Sequence, residues 1–313
     1  MTYTPSNPEA SGADQPGRDS QANARLLPLS VWLCSDTTSS EGAAAPVAPA
    51  TPSATTNNPA TARGELCVQH RATVGRQLAR HLISACTREG DVVAEAFTTS
   101  EATMLAAVES GRRGLALVPH FPLAQHIGAR LRATLPQDLL RRAEMRPCRP
   151  DQMARGLADV AGQVGLIVAA PPPYEVGGRV PKQMGSRGCP ACRADLWMLT
   201  TEQLGAFLVA AWQVLRPGGT LAIITTARHE GARLVDPAPR IVRQASLLGF
   251  RYVQHVIALR VPIEGDALVV QAIPTEIAQF RDAHSGVLPP PARVHADVLL
   301  LTRPRVRRGG EAR

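Results

Sequence analysis

The chain has 313 residues and is 44% apolar, enough to bury at least one core, which excludes a fully disordered protein. Its net charge of +8 points to an anionic partner, yet Lys182 is the one lysine among 34 basic residues, so a coding bias toward arginine accounts for part of that charge. Six cysteines are too sparse for a disulfide scaffold, and no segment approaches the ~18 uninterrupted apolar residues of a membrane span, so the expectation is a cytoplasmic protein with no membrane partner.

Residues 1–63 are dominated by Pro, Ala, Ser, Thr and Asn and are expected to be a disordered N-terminal segment. One apolar island, residues 29–33 with Trp32, interrupts it; docking against the domain and transient exposure are both open readings. From His70 onward helix and strand patterns alternate. Val74, Leu78 and Leu82 recur every four residues and predict a helix over 71–87. A buried strand over 92–97, a helix over 102–110 and a second strand over 115–118 follow. A helix is predicted over 123–135, a strand near Met145, and a helix over 151–161 with Asp151 capping its first turn.

Residues 165–169 read as the next buried strand and run into Pro171, Pro172, Pro173 and Tyr174. Thr200, with Gln203 three residues on, has the spacing of a capping box, and Leu204, Phe207, Leu208, Trp212 and Leu215 fall on one face of the helix it starts. Pro217-Gly218-Gly219 is expected to stop that helix before a strand over 220–225. A helix over 241–248 and strands over 252–259 and 296–301 complete the pattern. Strands separated by helices predict an α/β fold with a doubly wound, mostly parallel sheet, whose ligands bind beyond the carboxyl ends of the strands. The domain is expected to span 64–304, with a basic disordered tail over 305–313.

Several stretches at those strand ends match one family in order. They are His70-Arg71-Ala72-Thr73, the run from Gly90 through Glu95, Phe97, Thr99 and Glu101, then Pro171-Pro172-Pro173-Tyr174, and Leu215-Arg216-Pro217-Gly218-Gly219. Together they resemble the SAM-dependent DNA amino-methyltransferases of the cytosine-N4/adenine-N6 type. The resemblance covers nearly all of 70–303 and implies a Rossmann-like class I methyltransferase fold with an antiparallel terminal strand. It implies S-adenosyl-L-methionine as cofactor, held by residues at Thr73, Glu95, Phe97, Thr99, Glu101 and Val118. It also implies DNA as partner, with RNA less favoured, and no catalytic metal. Pro171, Pro172, Pro173 and Tyr174 fall on the catalytic motif, in which the second residue's carbonyl accepts from the target amine and the tyrosine stacks on a flipped base.

The matching positions have lost residues that this chemistry uses. Thr99 and Glu101 stand where glycines let the backbone approach the cofactor, and Thr73 replaces a basic residue on the first helix. Val118 stands where an acid binds the ribose hydroxyls, a loss of about 1.5–3 kcal/mol. Pro171 replaces the side-chain acceptor of the target amine, a loss of about a hundred- to a thousand-fold in rate. Two readings follow: a methyltransferase with reduced or lost activity, and a pseudoenzyme that binds nucleic acid or protein without catalysis. Cys189 and Cys192 form a single Cys-x-x-Cys, with Cys148 and His120 as distant zinc partners; ordinary loop thiols are the favoured reading. Arg179, Lys182, Arg187 and Arg193 in the 175–195 loop are candidates for phosphate contact, as are Arg303, Arg305, Arg307 and Arg308 at the chain end.

Overall fold

The computed structural model describes residues 31–35, 74–172, 200–230, 233–260, 263–264, 267–268 and 294–305. Thr73, Pro173, Tyr174, the 175–195 loop with Cys189 and Cys192, and most of the N-terminal segment lie outside them.

The first described element lies inside the segment expected to lack order. Val31–Leu33 forms β1, the first of the two readings for the Trp32 island: it pairs in parallel with β9 (Arg251–Leu259), Val31 opposite Ile257 and Leu33 opposite Leu259. Cys34 is buried behind it and Trp32 packs on His81, with ring centroids 5.8 Å apart.

The next elements are α1 (Arg76–Cys86), β2 (Val92–Ala96), α2 (Ala102–Glu109), β3 (Arg113–Leu117) and α3 (Phe121–Thr134). The predicted stripe is the buried face of α1, where Leu78 and Leu82 are joined by Ala79 and Ile83. A short α4 (Gln137–Leu140) leads to β4 (Ala143–Arg146).

The helix expected over 151–161 is instead broken into α5 (Met153–Gly156) between two single 3-10 turns, Pro150–Gln152 and Ala158–Val160. Cys148 lies so close to Gly156 that no side chain fits there, and Leu157 leaves helical geometry. Met153, Leu157 and Val160 stay buried, so the apolar spacing survives without a continuous helix. Asp151 does not cap a first turn; both its oxygens accept from Arg149, at 2.9 and 2.8 Å.

β5 (Val164–Ala169) is buried throughout. α6 (Thr201–Val214) opens on the predicted capping box: Thr200 Oγ1 accepts from Gln203 N at 3.2 Å, and Thr200 N donates to Gln203 Oε1 at 3.0 Å. The helix ends at Val214, earlier than the Pro-Gly-Gly turn, because the chain is already extended from Leu215 in β6 (Leu215–Thr225). Gly219 is required there: a Cβ would lie 2.9 Å from the Arg216 and Val164 carbonyl oxygens. Two hairpins went unpredicted, β7 (Arg228–Glu230) with β8 (Arg233–Val235), and β10 (Ile263–Glu264) with β11 (Ala267–Leu268). Between them lie α7 (Ala238–Leu247) and β9, and β12 (His295–Thr302) ends the fold.

The main sheet has the order β1-β9-β12-β6-β5-β2-β3-β4. β4, β3, β2, β5 and β6 run parallel, whereas β12 is antiparallel to both its neighbours, β6 and β9. α1 and α2 pack on one face through Leu78, Leu82, Val93 and Val168, and α3 continues that layer over Ala116 and Val118. α5, α6 and α7 cover the other face, through Met153, Phe207, Ile241 and Leu299. The fold is α/β, Rossmann-like and doubly wound, with the antiparallel terminal strand predicted from sequence.

Candidate functional site

Because β5, β2 and β3 are adjacent and parallel, their carboxyl ends reach one rim together. Ala96 pairs with Ala169 and Glu95 with Ala116, so the turns after Ala96, Leu117 and Ala169 are neighbours, as the sequence reading required. Pro171 and Pro172 leave β5 at this rim, half-buried.

The turn after β2 is built around Phe97. Its φ is 60°, and among the described residues it is the one non-glycine with a positive φ. A bulky side chain in the left-handed region costs about 1–2 kcal/mol. Burial offsets that cost: the ring meets Phe207 of α6 edge-on, with centroids 5.0 Å apart, and is 5% exposed. Thr98 turns its hydroxyl back to the Glu95 carbonyl at 3.2 Å, and Ser100 Oγ accepts from Ala102 N at 3.4 Å. Thr99 is half-buried. The side chain of Glu101 leaves the start of α2 uncapped and instead accepts from Arg130 Nε of α3 at 2.6 Å.

Glu95 is the rim's most perturbed group. It is 3% exposed on the α2 side of the sheet, and burial raises its carboxyl from an ordinary 4.5 to about 8. The Thr103 hydroxyl opposes this shift and the Glu101 carboxylate adds to it. Among the described residues neither Glu95 Oε2 nor Thr103 Oγ1 has a partner at full hydrogen-bond geometry, so the Thr103 hydroxyl opposes the shift only weakly. Glu95 is therefore a neutral, buried acid at neutral pH. Val118, at the end of β3, is 2% exposed and extends the pairing with β4, its N–H donating to the Arg146 carbonyl at 2.9 Å.

These residues do not fit SAM in the manner the resemblance implies. The turn carries side chains at Thr99 and Glu101, where the resemblance implies glycines. The carboxylate of Glu101 is engaged, that of Glu95 is protonated, and the ribose position holds a buried valine. Arg130, Phe207 and Thr103 were not legible as partners in this turn, nor was the left-handed backbone of Phe97. A left-handed aromatic has no local sequence signal, and Arg130 lies 29 residues from Glu101. Among the described residues no group of three or more His, Cys, Asp or Glu could hold a metal, and no helix is long and apolar enough to cross a membrane.

No protein-family model matches the chain, and no curated protein matches it by sequence. Solved structures with a similar arrangement include TrmN from Thermus thermophilus, at 15% identity and a TM-score of 0.43, covering 75% of this chain and 51% of TrmN. The chain thus spans about half the length of TrmN. A predicted O-methyltransferase from Agrobacterium tumefaciens matches at 12% identity and a TM-score of 0.42, covering 76% of this chain and 90% of that protein. The 1,6-didemethyltoxoflavin-N1-methyltransferase of Burkholderia thailandensis matches at 15% and 0.40, covering 74% and 79%. Scores this low carry no argument, and the fold rests on this chain's own strand order. That order, with β12 antiparallel between β6 and β9, makes the fold of this chain the Rossmann-like class I methyltransferase fold.

Proposed function

We propose that this chain is a divergent relative of the DNA amino-methyltransferases that has kept the fold and given up SAM binding, and that it works as a nucleic-acid-binding module. The observation that carries this reading is the turn after β2, where Glu101 takes a position that the resemblance gives to glycine and is tied to Arg130. Loss of the acid at Val118 and of the acceptor at Pro171 supports the same conclusion from two further strand ends. The net charge of +8 supports an anionic partner. Fold alone assigns neither activity nor its absence, so the site decides.

Calorimetric titration of the full chain with SAM, and with S-adenosylhomocysteine, tests the reading. No binding heat is expected even at millimolar cofactor. A dissociation constant in the micromolar range would overturn the proposal and restore the transferase reading, with Tyr174 and the Pro172 carbonyl as its base-contacting groups.

A further inference from the structure

We infer that the opposite rim of the sheet, where the parallel strands begin, carries a phosphate-binding cleft. An open cleft of about 460 Å³ lies there between the end of α1 and the turn entering β6, lined by Cys86, Thr87, Arg88, Arg216, Gly218 and Arg305. Such a volume is within the range of small-molecule sites, and the open side leaves room for a polymer backbone.

Three separate segments deliver the charges. Arg88 stands exposed just beyond α1, its backbone N–H donating to Asp91 Oδ2 at 2.8 Å. Arg216 is held rigid by two bonds to Asp91, both 2.7 Å, which cancel its charge. Arg305 arrives from the end of β12 and lies over Gly218, where a Cβ would come within 2.8 Å of its Nε. Gly218 has φ 84° and is thus suited to glycine on two counts, left-handed backbone and close approach. Its N–H donates to the Arg303 carbonyl at 2.7 Å, fixing the chain end against the turn. Arg303 itself is spent on structure: it lies over Trp212 at 5.2 Å and donates to the Trp212 carbonyl at 2.8 Å.

Two described negative groups lie near the cleft without lining it. Asp91 is engaged with Arg216, and Glu89 turns its side chain toward Gly111. The carbonyl end of α1, which disfavours anions, is offset by Arg112, whose Nη2 donates to the Thr87 carbonyl at 3.1 Å. Cys86 adds no negative charge, because burial keeps its thiol protonated. What remains are Arg88 and Arg305, exposed and without an acidic partner among the described residues. Two guanidiniums facing one open cleft suit the oxygens of a phosphate.

This site is separate from the crevice. β2 has five residues, so about 17 Å of strand separates the rims. A duplex seated on the cleft therefore lies away from the β5 exit, and the inference stands whether or not SAM binds. The phosphates of a nucleic-acid backbone and those of a small phosphorylated ligand share the recognising chemistry, and the test separates them.

Fluorescence anisotropy with a labelled random-sequence duplex compares the full-length wild type with the double variant R88A/R305A and with R141A/R142A, which removes two exposed arginines beside β4. Both exposed pairs can be cut back without loss of fold, checked by circular dichroism. The double variant should bind the duplex at least about ten-fold more weakly. Its slope of log affinity against log salt should fall by about 1.8, about 0.9 per lost phosphate contact. The R141A/R142A control should lose less on both measures. Pyrophosphate is titrated in parallel: binding of pyrophosphate that R88A/R305A abolishes, without duplex binding, keeps the cleft and assigns it to a small phosphorylated ligand. Equal losses in both variants, or no binding of either probe, would overturn the inference.

Discussion

At the rim where β2, β3 and β5 end, Glu95 is buried and neutral and Glu101 is held by Arg130; at the rim where they begin, Arg88 and Arg305 stand in solvent. Both rims belong to the same strands, so sheet geometry does not explain the difference. The side chains do. A ligand-binding rim leaves charges and donors unfinished, whereas Glu95 and Glu101, the described acids of the carboxyl-end rim, are met from within the protein. Even its orphans, Glu95 Oε2 and Thr103 Oγ1, are sealed from solvent. Among the described residues, the acids of the rim that usually carries chemistry in a doubly wound sheet are buried or paired, and free charge stands at the other end.

The largest expected effect tests whether Phe97 is core. Phe97→Ala removes the ring from Phe207 and should cost about 3–5 kcal/mol in urea denaturation. Phe97→Gly removes more atoms, yet relieves the left-handed backbone, and should be about 1 kcal/mol less destabilising than the alanine variant. In ordinary strand positions alanine is the more stable of the two. Equal costs for the two variants would mean that the turn does not hold the strained geometry.

A smaller effect concerns Glu95. Its folded carboxyl titrates near 8 against an ordinary 4.5, so between those values the folded state holds a proton that the unfolded chain has released. The raised value makes its contribution complete below about pH 4.5 and lost progressively as pH rises towards 8. Glu95→Gln keeps the shape and cannot ionise. Its stability relative to wild type should therefore improve steadily from about pH 5 to pH 8, measured by urea denaturation across that range. A constant difference would show that Glu95 stays ionised and that this rim is wetter than its burial indicates.

The elements that define the contrast were legible to different degrees. The α1 stripe and the Thr200–Gln203 capping box depend on residues three or four apart, and local spacing announces them. The parallel order followed from the alternation of helices and strands. What decides the two rims is long-range. Glu101 meets Arg130 across 29 residues, and Asp91 meets Arg216 across 125. Val31–Leu33 pairs with β9, whose residues Ile257 to Leu259 lie near the other end of the domain in sequence. The break at Gly156 likewise comes from Cys148, which no helical periodicity takes into account. Losses at Thr99, Glu101 and Val118 could be read directly; their replacement contacts could not.

The smallest effect sharpens the other side of the comparison. Asp91, beside the cleft, cancels the charge of one of its lining arginines through paired bonds to Arg216. Asp91→Asn keeps the size of the side chain and one acceptor for Arg216, so the turn should survive with a loss of about 1 kcal/mol. Arg216 is 37% exposed and borders the cleft, so its uncancelled charge becomes available to an anion. Duplex affinity should then rise several-fold, and the salt slope should steepen by about 0.9, one added phosphate contact. The change opposes that of R88A/R305A and follows from the same geometry. Misfolding cannot produce a gain, and Glu202→Gln at the other rim adds the same net charge, so a larger gain for Asp91→Asn than for Glu202→Gln separates a local cleft from diffuse attraction to an arginine-rich surface. Equal gains would mean that the duplex is held by the chain's overall charge, and that the two rims differ in burial but not in use.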